Sequence, residues 1–586
     1  EVSYATLPGV RRRQLHRQAA LAIERHYAGS LSPYYAALAG HYDKAENTTR
    51  AAYYATLAGE QAAAQFANAS ALQYLGRALE LTPVDDHAQR ARLLLAREKI
   101  YDLQGVRQPQ EDDLTAMEAF AAQLSARQQA EVALRRAAFE WIMGHDANAE
   151  TALTETIRLA QVANTQDLEA RAYLLKGRAA KEQSLARQDL ARAQRLAQKT
   201  SQRALEGEIV RALGNACFWQ GRYAESQNYF EKALAIHCEV GDVRGELSAL
   251  NNLGQVLQLL GQPSKAAQFY AKALAASRKI GDQLAEGVLL TNLGSLQLLL
   301  GKFEQAQNAL AQAIEIREQI GNEEGAAVAL RLLGDAARQQ GQYTRSREAY
   351  QHALKINSRI QHARQSGETL TGLAALQRDL GAYTDAQAYL ARALAVLPEE
   401  ESASRLQAFS LGCSLHYLGG DLSQAQSLGE LAVAQSADFP VILAEALTNL
   451  GQVLVEVGQM TAARQHFVRA LEIRQNLGQT HLTADPSAGL AQIALAQDDL
   501  ETALAYAEAI WQAGLLPQAD RPLWVYLTCY HVFQRVGDSR SGEVLIAAQS
   551  LLQERAANID GEELHAPFLE KVPENREITR LCQEHP

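Results

Sequence analysis

Residues 241–280 read GDVRGELSAL NNLGQVLQLL GQPSKAAQFY AKALAASRKI, and the order of events in this stretch decides the fold. Gly241 can take the left-handed conformation that ends a helix, and the Asp242 carboxylate can accept the free amide hydrogens of the next one. Leu247, Leu250, Leu253, Leu257 and Leu260 then recur at steps of three and four, the spacing that lines one helical face. Gly254 breaks that stripe where the lack of a side chain lets a neighbouring helix approach, at some cost in intrinsic helix stability. Gly261 closes the first helix and Pro263 pre-sets the backbone of the second. Ala266, Phe269, Tyr270, Ala273 and Leu274 form the inward face of that second helix. Two such amphipathic helices, each of about seventeen residues, cannot bury their faces alone, so stacked copies must supply the core.

The copies are present. Leu213, Leu253, Leu293, Leu333 and Leu373 stand forty residues apart, each beside a glycine (Gly214, Gly254, Gly294, Gly334, Gly372). Gly221, Gly261, Gly301, Gly341 and Gly381 keep the same interval, followed by Ala233-Leu234, Ala273-Leu274, Ala313-Ile314, Ala353-Leu354 and Ala393-Leu394. With small drifts the beat extends through Leu94, Leu134 and Leu174 on one side and Leu411, Leu450 and Leu490 on the other. The pattern predicts an all-α solenoid of about eleven to twelve helical hairpins over residues 91–555, the last a degenerate one at Pro522–Leu552 whose turn is Gly537-Asp538. Residues 1–90 read as a more irregular helical region with a basic start (Arg11, Arg12, Arg13, Arg17), and 556–586 as an acidic tail that docks on the last hairpin or frays. Loop-like punctuation falls at Gly105–Asp113, Pro398–Ser402 and Gly514–Pro522, too short for interdomain linkers.

Composition narrows the function. A net charge of −11 lacks the basic face that displaces counterions from phosphates, so no direct nucleic-acid partner is expected. No run of eighteen apolar residues offers a membrane span. The five cysteines lie far apart without paired spacing, which suits a reducing cytoplasm better than a disulfide framework. The chain opens at Glu1 inside helical sequence, as expected of a fragment or a processed product.

Catalytic motifs do not emerge. Gly301-Lys302-Phe303 lacks the rest of a phosphate loop and recurs as Gly261-Gln262 and Gly341-Gln342, a turn between repeat helices. The 14 histidines include no HExxH pair and no cluster with cysteine at ligand spacing, so no metal or cofactor is expected. Asp85-Asp86, Glu323-Glu324 and Asp498-Asp499 fall where carboxylates cap helix starts. Cys413 and His416 share one helix without an orienting partner, which reads as a core cysteine and not a nucleophile. The chain is not expected to be an enzyme.

The sequence Leu250-Asn251-Asn252-Leu253-Gly254, then Gly261, then Phe269-Tyr270-Ala271-Lys272-Ala273-Leu274 resembles the tetratricopeptide repeat in its long, forty-residue form; Asn292-Leu293-Gly294 and Asn449-Leu450-Gly451 repeat its opening. The resemblance covers about four-fifths of the chain. It implies a right-handed superhelix whose first helices line a concave groove for a peptide or protein segment. Leu15-His16-Arg17 through Glu24, His41-Tyr42, Ala58-Gly59-Glu60 and Ala71–Leu81 resemble the region that follows the nucleotide-binding core in bacterial signal-transduction ATPases and transcription regulators with such arrays. That second resemblance implies a missing N-terminal NTPase or effector domain.

If the family geometry holds, the groove is lined by Asn251, Asn252, Gln255 and Gln258, then Thr291, Asn292 and Ser295, then Arg331, Asp335 and Arg338, then Arg378, Asn449 and Gln452. An asparagine carries both donor and acceptor and can hold a peptide backbone, while the arginines add paired hydrogen bonds to carboxylate or phosphate. The plainer alternative is that an asparagine ahead of Leu-Gly bonds to the adjacent repeat and that the polar face is only solvated. The expected function is a protein- or peptide-binding module, the sensory or regulatory part of a larger signalling ATPase or transcription regulator. A free-standing scaffold or oligomerisation protein is the alternative.

Overall fold

A computed structural model describes residues 7–180, 182–218, 220–398, 403–514 and 516–584. Of the expected punctuation, 399–402 and Leu515 lie outside the described residues. Among the described residues the chain is helical, with short 3-10 turns and no strand. None of the helices searched is long and apolar enough to cross a membrane. Contacts divide the chain into two compact units: Glu1–Val256 with Ala271–Glu286 and Ile320–Asn322, and Leu257–Tyr270 with Gly287–Gln319 and Glu323–Pro586.

In the first unit successive helices pack as pairs: Thr48–Ala64 with Asn68–Leu81, Ala126–Ile142 with Asp146–Val162, Gln166–Ala179 with Gln183–Lys199, and Arg203–Phe218 with Tyr223–Val240. The irregular start consists of Gly9–His26 and Tyr35–Lys44, tied to the following helix where Arg50 and the Tyr54 hydroxyl each reach Glu24 at 2.6 Å. The repeat's own locking contact is plain at Phe230, whose buried ring occupies the space a side chain on Gly214 would need. The Ser226 hydroxyl, from the same second helix, donates to the Gly214 carbonyl at 2.8 Å.

The second unit repeats this arrangement in Glu323–Gln339 with Tyr343–Arg359, Ala363–Asp379 with Tyr383–Val396, Ala403–Leu418 with Leu422–Gln435, Pro440–Glu456 with Met460–Asn476, Ala484–Ala496 with Leu500–Gln512, and Pro522–Val536 with Arg540–Ala557. Tyr350 is fully buried between two consecutive first helices: a Cβ on either Gly334 or Gly372 would stand 2.6 Å from its Cε1. Burial of such a ring stabilises by roughly 2–3 kcal/mol, and the two glycines are what admit it. Ser346 bonds the Gly334 carbonyl at 2.8 Å, as Ser226 does one hundred and twenty residues earlier.

Beyond residue 556, where the forty-residue pattern ends, two further helices form, Glu562–Glu570 and Pro573–Glu584, and both pack on the preceding hairpin. Later segments of this unit also rest on turns of its earlier hairpins. The His481 ring lies against Gly301, and Arg555 crosses Gly341, donating to the Gln339 carbonyl at 3.0 Å. Gly341 itself has φ +71°, and a Cβ there would meet Arg555 Cγ at 2.5 Å, so both conformation and space require glycine.

Candidate ligand cavity

These long-range contacts border an open cavity of about 410 Å³ in the second unit, within the span of about 300–1,000 Å³ usual for small-ligand sites. One wall is built by the first helices of five consecutive hairpins, because residues spaced forty apart present the same face: Ser295, then Arg331, Asp335 and Arg338, then Glu368, Thr371 and Arg378, then Leu411, then Glu445 and Asn449. The opposite wall is Arg474, Gln479, His481 and Asp485 at one helix junction, and Asp520 and Arg521 at another.

Most of the charges are matched. Arg338 and Arg378 share the Asp379 carboxylate at 2.6 and 2.8 Å, and Arg331 stands 3.1 Å from Asp335 and 3.6 Å from Glu368. Arg521 pairs with Glu574 at 2.9 Å and donates to Gln452 at 2.7 Å. The backbone N–H groups of Asp520 and Arg521 both donate to the Asp485 carboxylate at 3.0 Å. Burial, reinforced by the neighbouring Asp520 charge, nevertheless pushes Asp485 up to about 6. Asp520 suffers the same burial, but Arg378 and Arg338 outweigh it and hold the group at about 2, with Gln339 donating to it at 2.8 Å. His481 is pushed down to about 4 by burial and by Arg474, and so is neutral near pH 7.

Two groups differ from the rest. Glu445 accepts from the Ser410 hydroxyl at 3.2 Å, and burial raises its carboxyl above the usual range. The Arg474 guanidinium donates to the Gln479 side chain, and burial lowers it. Neither has an ion-pair partner within 4.0 Å among the described residues, though both line the same cavity. An acid and a base that feel each other's charge from beyond ion-pair distance suit a ligand that carries both an ammonium and a carboxylate, which would give each a partner in direct contact.

Of the residues expected on the groove, Ser295, Arg331, Asp335, Arg338, Arg378 and Asn449 meet in this cavity, together with Gln452. Asn251, Asn252, Gln255, Gln258 and Asn292 do not line it. Asn252 is buried and donates to Asn215 of the preceding repeat at 2.7 Å, and the Tyr270 hydroxyl donates to Gln258 at 3.5 Å. Asn449 donates to the carbonyl and the hydroxyl of Ser410 in the preceding first helix, at 3.2 and 3.0 Å. The sequence pattern alone did not single out Glu368 and Glu445, yet each stands five residues before its repeat leucine, a position open to the same periodic argument. Nor did it single out Asp485, which likewise stands five residues before Leu490, or Arg474, which follows Ala470 by four as Arg317 follows Ala313; His481 and Asp520 lie at helix junctions outside the repeat register.

The other motifs weighed for chemistry resolve into structure. Gly301 is a left-handed turn, Asp86 and Asp499 accept the N–H groups of Gln89 and Thr502 at 3.1 Å as helix caps, and burial pushes the Cys413 thiol up to about 12.

Residues 205–279, 248–319, 325–399 and 442–510 match the family described as tetratricopeptide repeat. Among solved structures, the apo form of RapI is similar at 15% identity and a TM-score of 0.45, covering 60% of this chain and 98% of its own. The apo form of the quorum sensor NprR from B. thuringiensis is 13% identical with a TM-score of 0.43, covering 59% and 99%. A signal transduction ATPase with numerous domains and a tetratricopeptide repeat sensor, from Pyrococcus horikoshii, is 14% identical with a TM-score of 0.42; 64% of this chain aligns with 55% of that one. No curated protein matches the sequence. The chain carries a tetratricopeptide repeat array.

Proposed function

We propose that the second unit is a non-enzymatic binding module for a short peptide or a peptide-like zwitterion, held in the cavity walled by the first helices of five hairpins. The observation that carries this reading is the placing of Glu445 and Arg474, a half-buried acid and a buried base that line one cavity, each without an ion-pair partner within 4.0 Å among the described residues. Burying a charge unpaired is costly, and a site retains such groups where a ligand completes them. Arg331, Arg338 and Arg378 are already neutralised and so shape the wall more than they supply net charge. Carboxyl groups in the cavity have perturbed acidities, but the hydroxyls they accept from, Ser410 at Glu445 and Ser404 at Glu368, do not line it, so recognition and not chemistry is the reading the geometry supports.

The test is calorimetric titration of the intact chain with a defined panel of short synthetic peptides and free amino acids. Ser295→Trp fills the cavity from a half-buried position on its wall and should abolish the heat of binding while leaving the helical signal intact. Glu445→Gln and Arg474→Gln should each weaken a zwitterion and spare, respectively, ligands blocked at the ammonium and at the carboxylate. A ligand that binds Ser295→Trp as well as the parent would sink the proposal.

We infer further that occupancy is read by an effector region, as part of a signalling ATPase or transcription regulator; the resemblance of residues 15–81 to the segment that follows such cores supports this. Transmission requires that the ligand bind two states of the array with different affinity. Ligand added to the full-length gene product should change its ATPase or DNA-binding output, and an unchanged output with a saturated cavity would leave the scaffold reading in its place.

A further inference from the structure

The first unit holds a different set of arginines. Arg171 and Arg178, seven residues apart, share one face of the Gln166–Ala179 helix, and Arg211 lies in the adjacent first helix, Arg203–Phe218, where Arg178 is among its charged neighbours. Their acid complement is thin. Glu208 lies 3.6 Å from Arg171 and 3.7 Å from Arg178, long for charge-assisted hydrogen bonds. Among the described residues, Nε and Nη2 of Arg178 and Nε of Arg211 are buried without a hydrogen-bond partner.

The other charged groups nearby are engaged elsewhere. Asp242 faces His237 Nδ1 at 2.9 Å and accepts the Gly245 N–H at 3.0 Å, while Arg244 faces Asp282 at 3.7 Å and Asp102 at 4.0 Å. Burial, and then the Arg178 charge, pulls the Arg211 guanidinium down to about 9, as expected where like charges are held together with too little counter-charge. Three guanidiniums against one carboxylate leave two positive charges on a half-exposed face.

We propose that Arg171, Arg178 and Arg211 form a binding site for a phosphoryl dianion. The charge balance favours a dianion over a carboxylate, and the planar guanidinium forks can each offer paired donors to its oxygens. The site lies wholly within the first unit and does not depend on the cavity reading. Its source is either free phosphate or a phosphoryl group on a larger molecule.

The test titrates the intact chain at fixed ionic strength with inorganic phosphate, O-phosphoserine and acetate. Saturable phosphate binding is expected, weakened at least tenfold in Arg178→Gln and Arg211→Gln, with acetate weaker than phosphate by a similar factor. Glu208→Gln, which removes the opposing carboxylate, should tighten phosphate several-fold. Tighter binding of phosphoserine than of phosphate assigns the site to a larger ligand, and the reverse order assigns it to the free ion; either supports the site. The ligand-free Arg211→Gln protein should melt at or above the parent temperature, and the more exposed Arg171→Gln gives a second variant should either buried substitution disturb folding. Absence of saturable phosphate binding, equal affinity in the arginine variants, or weaker binding in Glu208→Gln would overturn the proposal.

Discussion

Arg211 in the first unit and Arg331 in the second occupy one register of one repeat, three residues before Gly214 and Gly334, yet their surroundings differ in kind. Arg338 and Arg378 converge on Asp379, and Arg331 has both Asp335 and Glu368. Arg178 and Arg171 share Glu208 at a distance, and Arg211 has no carboxylate within 4.0 Å among the described residues. The repeat decides where a side chain points, since a forty-residue period returns each position to the same face. Whether that side chain's charge is neutralised depends on what the neighbouring helix carries one or two turns away, which the period leaves free. One scaffold can thus present a charge-matched chamber in one place and an arginine surplus in another.

The largest effect should come from removing the shared acid. Asp379→Asn leaves Arg378, buried, and Arg338, largely so, with an amide that cannot offset two guanidiniums. Breaking a buried pair from one side costs about 3 kcal/mol or more, read as a lowered urea midpoint of the helical circular dichroism signal. A loss under about 1 kcal/mol would show that the chamber's arginines do not rely on their carboxylates as the distances imply.

The opposite sign is expected across the comparison. Arg211→Met removes a guanidinium that has no carboxylate to lose and replaces it with an apolar side chain of similar length. Substitutions of this type are neutral or stabilising by about 1 kcal/mol or more. If Arg211→Met destabilises the chain as much as Asp379→Asn does, the two units do not differ in the way described.

How much of this was legible in the amino-acid order follows from the same distinction. The leucine and glycine pattern carried the helical hairpins because apolar spacing and positive φ are local constraints, as Gly341 shows. Register likewise placed Ser295, Arg331, Asp335, Arg338, Arg378 and Asn449 on a common wall. Glu208, Glu368 and Glu445, each five before its leucine, were within reach of the same periodicity, one turn nearer the helix start. Asp485, five before Leu490, and Arg474, four after Ala470 as Arg317 is after Ala313, were within reach too, but His481 and Asp520 were not, because they join the chamber only through contacts such as His481 on Gly301, between segments far apart in the chain. No local pattern encodes that meeting.

A buried carboxyl in the chamber gives a pH signature that the first unit's arginines do not share. Asp485 titrates near 6 in the folded chain, against about 3.9 for an unperturbed aspartate. Between those values the native state binds a proton that the unfolded state has lost, so this group's contribution to stability falls as pH rises from about 4 to about 6 and is constant above. Asp485→Asn removes the titration, and its urea midpoint should fall less over that interval than the parent's. Parallel curves for the two proteins would mean that Asp485 is ionised throughout and that its neighbours are arranged differently.

The smallest effects belong to the asparagines before Leu-Gly, one in each unit. Asn449 uses its amide donors on the carbonyl and hydroxyl of Ser410, and Asn252 donates to Asn215. A side chain whose donors already join two repeats has fewer left for a ligand backbone, so its contribution should be to stacking. Asn449→Ala should cost about 1 kcal/mol, and Asn252→Ala less because half-buried Asn215 keeps access to water. Ligand affinity of the chamber should change by no more than roughly threefold in Asn449→Ala, under about 0.7 kcal/mol. A tenfold loss of affinity without a matching loss of stability would reverse the assignment, making Asn449 a ligand clamp whose bond to Ser410 yields when the chamber is filled.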